Sequence, residues 1–175
     1  MYSGSLQLLP TPCNKKIKGS PFHLNYTIDE FEIQLQYTMD TTLFDQFSPK
    51  QKIQNASTRK DKLWESNCLE FFIKPLEINS YIELNFSLSG DWNAFNFDNY
   101  RQNKTESSIF SLNSFRVEKQ EEDNLVSAHY CLGTERFIQC HSLHGCAIIF
   151  LDNTPCYFHN LPESQSPPDF HKFHK

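Results

Sequence analysis

Trp64, Glu70, Glu83, Asn85, Trp92, Tyr100 and Arg101 combine flat apolar rings with carboxylate, amide and guanidinium groups within a stretch of the chain that reads as consecutive strands. Rings of this kind cover the apolar C–H face of a pyranose. Carboxylate, amide and guanidinium groups take its hydroxyls in pairs of hydrogen bonds. In extended chain Glu70 opposes Leu69 and Phe71, while Glu83 and Asn85 share one face, so antiparallel pairing brings these polar groups and Arg101 together. Trp64 and Trp92 are the candidates for direct ligand contact. The same set also reads as a staple, with Arg101 forked onto Glu70 or Glu83 as a buried structural pair and both Trp residues as core aromatics.

Other chemistries find less support. Glu70 and Glu83 could in principle flank a glycosidic bond as acid and nucleophile, but beside Arg101 they are expected to stay ionised and structural. The chain has no G-x-S-x-G elbow, no Gly-rich phosphate loop and no H-E-x-x-H helix, so no catalytic role is expected. Cys140, His141, His144, Cys146, Cys156 and His159, with His171 and His174, include good zinc ligands. They form no C-x2-C knuckle, however, and Cys146 and Cys156 read as strand residues. For axial haem ligation the only Met besides Met1 is Met39. Neither a metal nor a haem cofactor is expected.

The elements that position these residues are strands. Phe22, Leu24, Tyr26 and Ile28 alternate with polar residues, and Phe31, Ile33, Leu35, Tyr37 and Met39 repeat the pattern after a tight turn at Asp29-Glu30. Leu69, Phe71 and Ile73 alternate up to Pro75. Tyr81–Leu88 follows, and Ser89-Gly90-Asp91 returns the chain as Trp92–Phe97. Further strands are expected at Ile109–Val117, Leu125–Leu132, Cys146–Leu151 and Cys156–His159, the last two joined at Asp152-Asn153, with a short helical turn at Thr134–Gln139. No segment carries a sustained 3.6-residue period. The expectation is one all-β domain over residues 1–175, an antiparallel β-sandwich, with a long loop at 41–62 and a Pro-rich extended tail at 162–175.

Composition agrees: 16 Phe and 7 Tyr against 5 Gly and 2 Met give an aromatic interior suited to pleated sheets. The formal charge of −5 is spread without runs, so no basic face awaits nucleic acid. Neither a signal peptide nor a run of roughly 20 apolar residues is visible, which predicts a soluble, cytoplasmic chain without membrane contact. The six cysteines are too dilute for a disulfide scaffold and read as thiols.

The block Arg59-Lys-Asp-Lys-Leu-Trp-Glu-Ser-Asn-Cys-Leu-Glu-Phe-Phe-Ile73, then Tyr81-Ile-Glu-Leu-Asn-Phe-Ser-Leu-Ser-Gly-Asp-Trp92 and Tyr100-Arg101, resembles bacterial DOMON-like proteins. Those carry Arg-x-Asp-x-Leu-Trp…Thr-Cys-Phe-Glu, then Tyr-x-Glu-x-Asn-x-Ser-Pro-Ser-Gly-x-Trp and a Tyr-Arg pair. The ending Pro168-Asp-Phe-His171 is similar to theirs as well. Asn67 stands where the pattern has Thr, and Leu88 where it has Pro. The resemblance implies a sandwich grouped with type 9 carbohydrate-binding modules and haem-binding DOMON domains. It implies a non-catalytic ligand-binding module, carbohydrate being the first candidate ligand and a structural or protein-interaction domain the alternative.

Overall fold

The computed structural model describes residues 1–11, 22–47, 57–75, 79–120, 125–135, 139–161 and 168–172. Its strands are β1 (Tyr2–Pro10), β2 (Phe22–Ile28), β3 (Glu32–Asp40), β4 (Cys68–Pro75), β5 (Tyr81–Phe86), β6 (Trp92–Phe97), β7 (Thr105–Glu106), β8 (Phe110–Gln120), β9 (Leu125–Thr134), β10 (Cys140–Leu151) and β11 (Thr154–His159). All pair antiparallel in the order β7-β6-β5-β4-β10-β11-β1-β2-β3-β9-β8. The ladder forms two layers because β1 belongs to both: Tyr2–Leu8 pairs with β2, while Leu9 and Pro10 pair with His159 and Phe158 of β11.

The layers face each other across one apolar core. Leu24, Leu35, Tyr37 and Tyr130 of the first pack with Leu69, Phe71, Leu84, Phe86 and Ile149 of the second. Phe86 and Tyr130 ring centroids lie 4.3 Å apart, and the buried Tyr37 hydroxyl donates to the Glu70 carbonyl at 2.6 Å. The layers approach so closely at Gly145 that a Cβ there would stand 2.4 Å from Leu24 Cδ2. The all-β sandwich expected from period-2 patterning is the fold observed.

Several local expectations are corrected. Phe31 does not continue the β3 alternation and is 67% exposed. The Asp29 carboxylate accepts from the backbone N–H of Phe31 and Glu32 at 2.9 and 2.8 Å, and this Asx turn holds Phe31 in the bend. The long loop begins as a helix, α1 (Thr41–Phe47), too short for periodicity to reveal, with Leu43 and Phe44 in the core. Residues 58–60 then run beside β6, with Trp92 N–H donating to Thr58 O and Lys60 N–H to Trp92 O, both at 3.0 Å. A 3₁₀ turn at Leu63–Glu65 leads into β4.

β1 and β7 were not foreseen. The Asp152-Asn153 hairpin is present, with φ of 46° and 62° as a two-residue turn between twisted strands requires. The helical turn expected at Thr134–Gln139 falls mainly on residues 136–138, and parts of the long loop (48–56) and of the Pro-rich tail (162–167 and 173–175) also lie outside the described residues.

Candidate functional site

The second layer is buried on both sides. Every residue of β4 from Cys68 to Ile73 is buried, and alternation sends Leu69, Phe71 and Ile73 to the main core and Cys68, Glu70 and Phe72 to the outer face. Register then assembles that outer face in rows. Cys146, Glu70, Asn85 and Asn93 form one row across β10, β4, β5 and β6; His144, Phe72, Glu83 and Phe95 form the next. A smaller apolar cluster of Leu63, Phe72, Tyr81, Phe95, Phe97, Ile148 and Phe170 covers the sheet here.

Residues 168–172 lie over this face and are held by three polar anchors. Asp169 accepts from the Tyr100 hydroxyl at 2.5 Å and from Arg101 Nη2 at 3.1 Å. Burial pushes the Asp169 carboxyl up, but these two hydrogen bonds outweigh it and hold it below the usual carboxylate range. His144 Nε2 donates to the Phe170 carbonyl at 2.5 Å, and His171 Nδ1 meets the Tyr81 hydroxyl at 2.5 Å. Phe170 itself is 7% exposed, against Phe72, Tyr157 and His159.

Between this segment, the 3₁₀ turn and the strands lies a cleft of about 490 Å³. Glu70 and Glu83 are on its lining, Trp64, Phe97, Tyr157 and Phe170 supply rings, and Arg101, Lys104 and His171 supply nitrogen. Both glutamates are nearly inaccessible, at 3% and 4% exposure. Glu70 Oε2 accepts from the Cys146 thiol at 2.9 Å, and Glu83 Oε1 from Asn85 Nδ2 at 2.7 Å. Burial, and for Glu70 also the nearby Glu83 charge, raises both carboxyls above the ordinary glutamate range. The Asn85 amide oxygen is buried and has no hydrogen-bond partner among the described residues.

His171 is pushed down to about 4 by burial and then by the Arg101 charge, Asp169 opposing. Its Nε2 lies 3.9 Å from Glu83 Oε2. A neutral imidazole at that distance makes neither an ion pair nor a hydrogen bond.

The structure thus brings Trp64, Glu70, Glu83 and Arg101 to one cleft, with Asn85 beside Glu83 on the same face. It does not bring Trp92 there. Trp92 pairs with Phe86 in register, is 5% exposed and packs in the main core, with the Arg59 guanidinium 4.3 Å above its ring. A five-residue connection between β5 and β6 sets that register, and alternation along β6 then turns Phe95 and Phe97 outward instead.

Tyr100 sits beside the cleft, 46% exposed. Arg101 is not a buried staple on either glutamate: its side chain is 53% exposed and its ion-pair partner is Asp169. The guanidinium that ties elements together is Arg59, which also donates to the Phe110 carbonyl at 2.6 Å. Sequence reasoning did not place Phe97, Lys104, Tyr157 or Phe170 at a site, and named His171 only among possible metal ligands. The signal that Phe170 and His171 belong at the cleft was the Pro168-Asp-Phe-His171 ending, there taken as part of a resemblance.

Of the candidate metal ligands, His171 lies at the cleft, His174 lies outside the described residues, and those named next take structural positions. His144 binds a carbonyl, His159 Nδ1 accepts from Leu161 N–H at 3.1 Å, Cys156 is in the core, and Met39 is 1% exposed in that core. The five described cysteines are thiols, not disulfides. Among the described residues no cluster of three or more His, Cys, Asp or Glu side chains is arranged to hold a metal ion, and no helix is long and apolar enough to cross a membrane.

No protein-family model matches the chain, and no curated protein matches it either. Among solved structures, the chain is similar to a "putative carbohydrate-binding protein" from Bacteroides uniformis, with a TM-score of 0.56, 15% identity, and coverage of 95% of this chain and 82% of that one. At that identity the likeness establishes a shared fold and no more.

Proposed function

We propose that the chain is a non-catalytic carbohydrate-binding module of the DOMON-like kind, related to type 9 modules, with its ligand seated in the cleft over β4, β5, β6 and β10. The observation that carries this reading is the convergence of the Trp64, Phe97 and Tyr157 rings with the carboxyls of Glu70 and Glu83 around one cleft. Ring faces take the C–H surface of a sugar, and polar groups held in an apolar setting read its hydroxyls. The fold shared with the Bacteroides uniformis protein and the motif running from Arg59 to Arg101 support the same reading. The burial of Glu70, with a thiol on its carboxyl, makes it a floor group with little access for a reacting bond.

A second reading, a structural or protein-interaction sandwich, is favoured by one observation: Tyr100 and Arg101 are engaged by the chain's own Asp169. A glycan array probed with wild type, Trp64→Ala and Glu83→Gln separates the two. The carbohydrate reading expects wild-type binding that both variants lose while keeping the wild-type circular dichroism. A blank array, or binding unchanged in Trp64→Ala, sinks it.

A further inference from the structure

His171 and Glu83 each have one side of the functional group secured and the other turned toward the cleft. Glu83 Oε1 is held by Asn85, and Oε2 faces His171. The imidazole stands edge-on to the rings of Phe72, Tyr81 and Phe97, with centroids 5.6, 5.6 and 5.2 Å away, and this packing fixes its plane. The Tyr81 oxygen accepts from the Arg101 backbone N–H at 3.3 Å; when the Tyr81 O–H in turn donates to His171 Nδ1, the ring proton stands on Nε2. A donor and an acceptor 3.9 Å apart are both within reach of one hydroxyl oxygen placed about 2.8 Å from each.

We propose that His171 and Glu83 form a hydroxyl clamp, Nε2–H donating to a ligand hydroxyl that in turn donates to Glu83 Oε2, and that this clamp selects neutral sugars over uronic acids. The inference rests on the carbohydrate reading above and adds the atoms that confer specificity. The selectivity follows from the charges around the cleft. Arg101 is paired with Asp169 and Lys104 with Asp61, each at 3.1 Å, so both cations already have carboxylate partners. A ligand carboxylate brought to the floor would give up its water beside a neutral imidazole and two buried side chains, with Arg101 and Lys104 already paired. A hydroxyl, donor and acceptor at once, satisfies both members of the clamp. The C-terminal segment that carries His171 is thereby part of the site, anchored at Asp169 and at the Phe170 carbonyl so that the imidazole is placed before ligand arrives.

Isothermal titration calorimetry of the full chain with cello-, manno- and xylo-oligosaccharides, and with oligogalacturonate as the anionic counterpart, tests this together with ¹⁵N NMR of the His171 ring in the sugar-free protein. At least one neutral oligosaccharide is expected to bind and oligogalacturonate to bind more weakly. His171→Ala should weaken the neutral sugar roughly tenfold or more, and His171→Gln, which keeps a donor near the Nε2 position, should weaken it less. The NMR spectrum should show the proton on Nε2. Neutral-sugar binding that is unchanged in both variants overturns the clamp while leaving the carbohydrate reading intact, as does tighter binding of oligogalacturonate. A ring proton on Nδ1 overturns the clamp even if His171→Ala fails to fold. If none of these oligosaccharides binds wild type, the carbohydrate reading and the clamp fall together.

Discussion

Glu70→Gln tests the electrostatics of the cleft floor through stability alone. The Glu70 carboxyl is 3% exposed and accepts from the Cys146 thiol, a weak donor that compensates little for lost water. The guanidinium that would neutralise it, Arg101, is committed to Asp169. Burial first, and then the Glu83 charge, raises its pKa, the Cys146 and Cys68 thiols opposing only in part. The unfolded chain releases this proton near the ordinary glutamate value of about 4.3, and the folded chain only at higher pH. The site's contribution to stability is therefore fully present below the unfolded value and is lost as pH rises through the folded one.

Across that interval the folded state holds one proton more than the unfolded state, so the unfolding free energy falls by about 1.4 kcal/mol per pH unit from this group. Gln keeps the shape and cannot titrate. Urea unfolding of wild type and Glu70→Gln at about pH 5, 6 and 7 should show the variant gaining on wild type by about 1.4 kcal/mol at each step. Taking the difference cancels the pH dependence of other groups to the extent that they titrate alike in both proteins. A constant difference would refute the buried, protonated carboxyl. A difference that widens toward acid would mean that the folded site holds Glu70 as a stabilised anion.

Arg101→Ala should lower the urea unfolding free energy by about 1 kcal/mol or less, because the guanidinium is half exposed; a loss several times larger would restore the buried staple. Trp92→Ala removes a core side chain and should cost about 3–5 kcal/mol, whereas Trp64→Ala, at the cleft, should cost much less and instead abolish sugar binding; thermal melts and calorimetry together give both numbers, and equal destabilisation by the two would contradict their placement. His171, with its pKa pushed down to about 4, contributes stability that is present above the unfolded histidine value of about 6.5 and lost as pH falls through the folded one. His171→Gln should therefore flatten the acid limb of the stability curve over that interval, and an unchanged limb would place the titration elsewhere.

The strands were legible because alternation marks a half-buried strand whatever its partners. Phe22–Ile28 and Trp92–Phe97 emerge with the bounds expected, and the strand expected over Tyr81–Leu88 ends two residues earlier, at Phe86. What alternation cannot supply is register and side. Glu83 and Asn85 were rightly given one face, since both lie on β5. The face of Trp92 depends on where the chain re-enters after Ser87–Asp91, where Ser87 N–H donates to the Asp91 carbonyl at 2.9 Å, and nothing in the local pattern of β6 encodes that. The partner of Arg101 was hidden for a different reason: Asp169 is 68 residues away in the chain, in a polar segment without periodicity. Phe31 was lost to a side chain–backbone contact stronger than its apolar preference for the sheet, and α1 to its brevity.

An antiparallel sheet needs only one covered face, and a polar outer face in water is the economical arrangement. Here the first layer follows that rule, with His23, Asn25, Gln34 and Gln36 of β2 and β3 pointing away from the core, whereas the second layer carries a second apolar cluster on its outer side. Within that cluster, at the centre of the sheet and away from either edge, stand two carboxyls and an amide whose oxygen has no partner among the described residues. Apolar side chains of similar size would fill the same volume without the cost of dehydrating those groups, so packing does not explain them. Nor does ion pairing, since the nearby cations Arg101 and Lys104 are bound to Asp169 and Asp61. The sheet thus carries polar groups that detract from its stability, beneath a cleft large enough for a ligand, and roofs the cleft in part with the segment that brings His171 to Glu83. A face built against its own stability there is the form that the proposed binding site would take.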